Sequence, residues 1–286
     1  MTTTTSAPAE LNRRTGDDID LRKVLLTAAG VLILAVMLFP VYWMVNASLQ
    51  PSGNTLNADL IPLQPSFDNY VRAISEQGAN LVTSLIIALG TVVFSLALAA
   101  PASFALAQFR FRWVGVALLA ILVSQMIPGI VIANALYSAY EGMGLLNSIP
   151  GLILANSTSA IPFAILIMRS FMLGVPSAII EAARVDGAGL VRSFLWIVVP
   201  VSRNAIITAG LFTFLFAWSD FLFALTLTTT DEIRPVTLGI YQYLGTQVQN
   251  WGAVMATAVL SATPAIVLLV AAQKYIAAGA TGGAVK

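Results

Sequence analysis

Glu181-Ala182-Ala183-Arg184-Val185-Asp186-Gly187-Ala188, closed nine residues later by Ile197-Val198-Val199-Pro200, is the stretch on which the reading of this chain turns. It lies in residues 174–203, the longest polar interruption in the membrane-embedded part of the sequence. Pro176-Ser177 is a helix-start signal, and residues 178–185 favour a short helix. Asp186-Gly187 is a turn dipeptide in which Gly187 is free to take positive φ and end that helix. Residues 190–198 then form a second short helix running to Pro200. Two arrangements fit. One is a compact helix–turn–helix knob whose small Ala182, Ala183 and Ala188 admit another backbone closely. The other is an amphipathic connector lying on lipid headgroups, to which Phe194, Leu195 and Trp196 are suited. Glu181 and Arg184, three residues apart, can pair across the exposed face for about 0.2–0.5 kcal/mol. An apolar bundle needs no such insertion to fold; it needs one if something outside the membrane pushes on it.

The surroundings are apolar. Of 286 residues, 58% are hydrophobic and 9% charged, with mean hydropathy +0.87. Soluble domains carry about 25% charge, so the chain is an integral membrane protein. It has no cysteine and no histidine, which removes thiol chemistry, the usual general base and the commonest metal ligand. Neither an enzyme nor a metal protein is expected, and movement is the expected activity.

A hydrocarbon core about 30 Å thick needs roughly 20 apolar residues of helix. Six runs qualify, at residues 24–45, 81–107, 113–137, 150–172, 205–229 and 253–277. The predicted fold is therefore all-α, a polytopic bundle of six transmembrane helices. Pro101, Pro128, Pro162 and Pro264 inside these runs read as kinks, because neighbouring helices can satisfy the freed carbonyls. With the N-terminus inside, twelve of the 14 Lys and Arg fall on the cytoplasmic side and only Arg72 and Arg234 outside. By the positive-inside rule both termini are cytoplasmic. The domain reading is a polar tail at 1–23, a transmembrane core at 24–277 with an external loop at 48–80 and the cytoplasmic loop at 174–203, and a tail at 278–286. The N-terminal tail does not have the pattern of a secretory signal.

An ionisable residue within a span marks a candidate site. Asp220 is the clear case, on one helical stripe with Thr213 and Ala217 and beside Ser219 and Trp218, whose ring offers a stacking face. Water or a neighbouring helix can equally satisfy it. In span four, Asn156-Ser157-Thr158-Ser159 is a polar cluster that serves either interhelical hydrogen bonding or cargo contact. Gln125 and Asn134, nine residues apart in span three, fall on opposite sides of a continuous helix, so only one of them lines a path.

Glu181-Ala182-Ala183, Gly187 and Ile197-x-x-Pro200 resemble the EAA loop of permease subunits from binding-protein-dependent ABC importers, with Val199 where leucine is usual. The flanks are similar to the smaller permease of maltose-type carbohydrate importers. They include Phe67-Asp68-Asn69-Tyr70, Phe104-Ala105-Leu106-Ala107-Gln108-Phe109-Arg110-Phe111, Met126-Ile127-Pro128, Gly144-Leu145-Leu146-Asn147-Ser148 and the Gly-rich tail from Gly279. Trp218-Ser219-Asp220 departs from the family's usual Trp-Asn-Glu or Trp-Asn-Asp, and Arg203-Asn204 from its Pro-Gly. The resemblance implies the type I ABC importer permease fold in a bacterial or archaeal inner membrane. It also implies coupling through Glu181, Ala182, Ala183, Asp186, Gly187, Ala188 and Pro200. The implied partners are the lipid bilayer, a second homologous permease, two copies of a cytoplasmic ATPase that bind ATP and Mg, and an extracytoplasmic solute-binding protein. Nucleic acid is not among them. No GxxxxGK[ST] loop occurs here, so no cofactor is expected on this chain. Cargo candidates for the path are Asp220, Trp218, Ser219, Asn156, Ser159 and Gln125. A sugar or oligosaccharide is the implied cargo. A polyol or glycerol-phosphate compound is the alternative within the class, and a secondary transporter without an ATPase the alternative outside it.

Overall fold

The computed structural model describes residues 21–51, 59–109, 112–245 and 250–282. The N-terminal tail up to residue 20, part of the external loop, Arg110-Phe111, residues 246–249 and the last four residues lie outside the described residues. The chain divides into two compact units, residues 1–44 and 45–286. In the first, the described residues form one helix with positions 21–42 exposed, continuing as α1 (Leu21–Ser48).

The second unit is built on α2 (Asp68–Gln108) and α5 (Ile149–Met172). Their contact is close because the facing residues are small: Ala88, Thr91, Ser95, Ala99 and Ser103 of α2 are buried, as are Ala155, Ser157, Ala160 and Ala164 of α5. Helices in lipid gain from such surfaces because backbones can approach and hydroxyls can bond across. Ser95 Oγ donates to Ser157 Oγ at 3.2 Å, and Ser103 Oγ to the Ile165 carbonyl at 3.2 Å. Side chains at Gly90 or Gly210 would crowd Ile153 or Leu96. Around this pair stand α3 (Val114–Ser124), α4 (Gly129–Met143), α6 (Ser177–Val185), α7 (Leu190–Ser193), α8 (Val199–Val201), α9 (Arg203–Trp218), α10 (Leu222–Leu227), α11 (Val236–Gly245) and α12 (Trp251–Gly282). A π-helical turn, Phe194–Val198, joins α7 to α8.

Among the described residues, four helices are long and apolar enough to cross a membrane, and up to six spans result if each of two bent pairs counts as one. The expected third span is α3 and α4, meeting at 90° ahead of Gly129 rather than at a mild kink. Pro128 is extended there (φ −59°, ψ 134°) and cannot donate a backbone N–H, so the helix restarts after it. The expected fifth span stops at Trp218, about 24 Å of helix at 1.5 Å per residue and too short for a 30 Å core by itself. It bends by 79° from residues 190–201 at its start. Helix α2 begins thirteen residues before the expected second span, so the second half of the external loop is helical. Helix α12 likewise runs on to Gly282, into what the sequence reads as a tail.

Several recognised motifs acquire a structural reason. Asn69 is buried and its Nδ2 donates to the Ser48 and Gln50 carbonyls at 3.0 and 2.9 Å, while Tyr70 OH meets Ser48 Oγ at 2.7 Å. The two Asn69 bonds satisfy carbonyls at and just beyond the end of α1, where no helical partner is available. Asn147, at φ 53°, accepts on Oδ1 from the Thr229 and Thr230 amides at 2.6 and 3.0 Å. It thereby fastens the α4–α5 turn to the segment after α10.

Candidate functional site

The interruption at 174–203 is a packed knob. Helix α6 is strongly two-faced, with Ile180 and Ala183 buried against the bundle and Glu181, Ala182, Arg184, Asp186 and Gly187 exposed. Its end is a Schellman closure: Ala188 N donates to the Ala183 carbonyl at 2.8 Å and Gly187 N to the Arg184 carbonyl at 3.1 Å, with Gly187 at φ 84°. Ile180 and Val198 belong to one core cluster with Phe104, Met168, Met172, Ala205 and Ala209, so both arms of the knob rest on the same base. Phe104 and Phe194 rings lie 5.3 Å apart across that base.

Two side chains brace the base further. Gln108 Nε2 donates to the Met172 and Val175 carbonyls at 2.8 and 3.2 Å, and Arg169 Nε to the Leu106 carbonyl at 3.1 Å. Each satisfies a carbonyl at a helix end and locks the end of α2 to the end of α5. Through Val175 the start of the knob is tied to α2 as well.

Some expectations change. Ala183 faces the bundle, because it lies three residues from Ile180 on the inner stripe; it offers nothing to an outside partner. Ala188 is half-buried and Pro200 exposed beside the bend. Among the described residues, Glu181 and Arg184 form no ion pair. The second arm is a four-residue helix, a π turn and α8 rather than one regular helix. The connector reading keeps a share in that arm, where Val191, Leu195 and Trp196 are exposed, Trp196 at 76%. Sequence reasoning passed over Val185, the knob's most open apolar side chain at 88% exposure. Its signal was an aliphatic residue directly before the Asp-Gly turn.

The candidate path residues fall into two groups. Asp220 is not on a continuous stripe with Thr213 and Ala217. The helix ends before it, and its carboxylate accepts from the Phe223 and Ala224 amides at 3.2 and 3.1 Å, holding the start of α10. The Asn156 side chain also bonds to it, and Thr237 Oγ1 donates to its carbonyl at 2.6 Å. Trp218 is 6% exposed, stacks on Phe214 at 5.5 Å and donates from Nε1 to the Ser261 carbonyl at 2.9 Å. Its ring is committed to packing. Thr213 and Ala217 are buried with it.

The second group is open. Gln125, exposed at the α3–α4 break, donates from Nε2 to the Ser159 carbonyl at 3.3 Å. One turn along α5 from Ser159 is Phe163, whose ring meets Phe216 and Phe212 of α9 edge-on at 5.1 and 5.6 Å. Phe216 is 47% exposed, and Ser219, one turn on, is exposed as well. The break before Gly129 also removes the phase argument that set Gln125 against Asn134, since no continuous helix joins them. The aromatic pair was missed because phenylalanine in an apolar run carries no signal until its face is known.

Residues 99–281, which hold the knob and this face, match the family described as binding-protein-dependent transport system inner membrane component. The chain belongs to that family. It is a subunit of a transport system, built to span the cell membrane several times. The permease is 34% identical over 260 residues to the trehalose transport system permease protein SugB of Mycobacterium tuberculosis, covering 89% of this chain and 94% of the relative. It is 30% identical over 271 residues to the trehalose/maltose transport system permease protein MalG of Thermococcus litoralis, covering 93% and 98%. A chain of a bacterial ABC transporter involved in alginate import superimposes with a TM-score of 0.77 at 20% identity, covering 91% of this permease and 98% of that chain. That likeness is one of fold.

Proposed function

We propose that this permease is the membrane-spanning subunit of an ATP-driven importer for a sugar or oligosaccharide. The observation that carries the reading is the braced knob in a chain whose relatives are named for trehalose, maltose and diacetylchitobiose transport. The exposed face of Glu181, Ala182, Arg184, Val185, Asp186, Gly187 and part of Ala188 docks on a cytoplasmic ATPase, which binds ATP and Mg and performs the hydrolysis. Two copies of that ATPase, a second homologous permease and an extracytoplasmic binding protein complete the assembly. Closure of the ATPase pair rotates the knob, and the Gln108 and Arg169 braces pass the rotation to α2 and α5. This is rigid-body coupling between two states of the bundle.

Cargo passes the open face made by Gln125, Ser159, Phe163, Phe216 and Ser219. It combines aromatic surface with amide and hydroxyl groups, the combination that suits a neutral polyhydroxylated ring. Asp220 and Asn156 shape that face from behind by fixing the helix break. The deciding experiment is binding of saccharides, polyols and glycerol phosphodiesters to the cognate binding protein, followed by uptake of the ligand into vesicles holding the full complex. Saccharide binding with ATP-dependent uptake is the expected result. Uptake at full rate without the ATPase would overturn the reading, and exclusive binding of a polyol or phosphodiester would correct the cargo.

A further inference from the structure

Helices α2, α9 and α12 enclose a cleft with two unlike ends. One part is a cavity of about 270 Å³ lined by Leu89, Val92, Gly210, Phe214, Leu268 and their apolar neighbours. It shares Ile207 and Tyr275 with a second cavity of about 410 Å³, whose other walls are Arg203, Asn204 and Lys274. The two adjoin along that shared wall, the first part apolar and the second bounded by two cations. Arg203 and Lys274 are exposed and form no ion pair among the described residues, and the Lys274 ammonium sits 5.0 Å over the Tyr275 ring. From Arg203 to Phe214 the cleft runs along about 16 Å of helix at 1.5 Å per residue. That is close to half of a hydrocarbon core about 30 Å thick. The charge asymmetry of the chain puts the mouth at the cytoplasmic boundary.

We propose that this cleft binds one anionic phospholipid of the cytoplasmic leaflet, headgroup phosphate on Arg203 and Lys274, acyl chain between α2, α9 and α12. The occupant follows from the mismatch of the two ends. A free inorganic anion would satisfy the mouth and leave the apolar length unfilled. A partner's transmembrane helix would fill the length and confront two cations without a counter-charge. A phospholipid carries both parts in this order and spacing, and basic pockets between helices on this side of a membrane favour anionic headgroups. The site lies one residue beyond the bend that joins the knob to α9, so its occupant would brace the joint that transmits the stroke. The proposal does not depend on the cargo or on the ATPase.

The test is native mass spectrometry of the assembled complex with added palmitoyl-oleoyl phosphatidylglycerol or phosphatidylcholine. The wild type should retain phosphatidylglycerol preferentially. The double variant Arg203→Gln/Lys274→Gln should bind it about 30-fold more weakly, from two cations of the usual surface strength. Ala271 also lines the apolar part, and Ala271→Trp, which fills it and leaves the mouth intact, should lose the lipid too. Should that variant fail to assemble, the two exposed charge substitutions still decide. Equal retention by wild type and the double variant would overturn the proposal, as would displacement of the lipid by millimolar inorganic phosphate. Because the chain has no cysteine, Ala271→Cys gives a single reactive site. Efficient cross-linking from it to another protein chain would show a helix in the cleft and likewise overturn the proposal.

Discussion

The knob at 174–203 and the break at Ser219-Asp220 both interrupt apolar helix with a short polar run, and they dispose of their polar groups in opposite directions. In the knob, Gly187 lets the backbone close on itself, so Glu181, Arg184 and Asp186 are left free to face outward. At the break no glycine is present, and the Asp220 carboxylate is used up on backbone amides while Asn156 and Thr237 close around it. A polar interruption capped by its own backbone becomes a surface. One capped by a side chain becomes a joint, its carboxylate oxygens engaged by backbone amides.

The sharpest way to break this contrast is at Gly187. Gly187→Val forces a β-branched residue to φ 84°, at a cost of about 1–3 kcal/mol. It should abolish binding-protein-stimulated ATP hydrolysis in the assembled complex. A Cβ at this position meets nothing within 4 Å, so Gly187→Ala should cost about 1–2 kcal/mol through conformation alone and leave a reduced, measurable rate. Unaltered coupling in the valine variant would mean that the knob is not the lever.

Asp220→Ala tests the other side. It strands the Phe223 and Ala224 amides, and should destabilise the permease by about 1–3 kcal/mol, read as a lower melting temperature. Asp220→Asn keeps one acceptor oxygen and should recover most of the loss. An alanine variant that melts normally yet transports nothing would make Asp220 a cargo ligand instead.

A smaller effect is expected at the knob's base. Gln108→Met unpairs the Met172 and Val175 carbonyls and should cost about 1 kcal/mol. Hydrogen exchange should accelerate through α6, and exchange unchanged there would dissociate the brace from the knob. The finest comparison sets Trp218→Phe against Phe216→Ala. The first loses one hydrogen bond, about 1 kcal/mol, with uptake little changed; the second should lower uptake several-fold with little change in melting temperature. The reverse pattern would return the stacking role to Trp218.

How far each region could be read in advance follows from where its determinants lie. The knob's start and glycine turn are set by near neighbours, Pro176-Ser177 and Asp186-Gly187, and these were legible; its end was not, since Pro200 lies inside α8 and the bend comes only after Val201. Which alanine faces inward was not, since Ala182 and Ala183 are chemically identical and only the packing of Ile180 separates them. At the break, Trp218 and Asp220 looked like pathway residues because aromatic and ionisable groups are unusual in lipid. Their partners, Ser261 and Asn156, lie 43 and 64 residues away in sequence and are found only by folding.

Composition and the spacing of apolar runs fixed by themselves that this is a six-run helical membrane protein, because lipid leaves the backbone almost no alternative to helix. Charge asymmetry sets its expected orientation, and the local chemistry of turn residues gave the knob. Tertiary structure alone decided that span three folds at 90° ahead of Gly129, that span five ends at Trp218, and that Phe216 rather than Trp218 faces the open side. The reason is that hydrophobicity places a residue in the membrane without saying which way it points. In a bundle where nearly every side chain is apolar, only contact with a particular neighbour divides core from path.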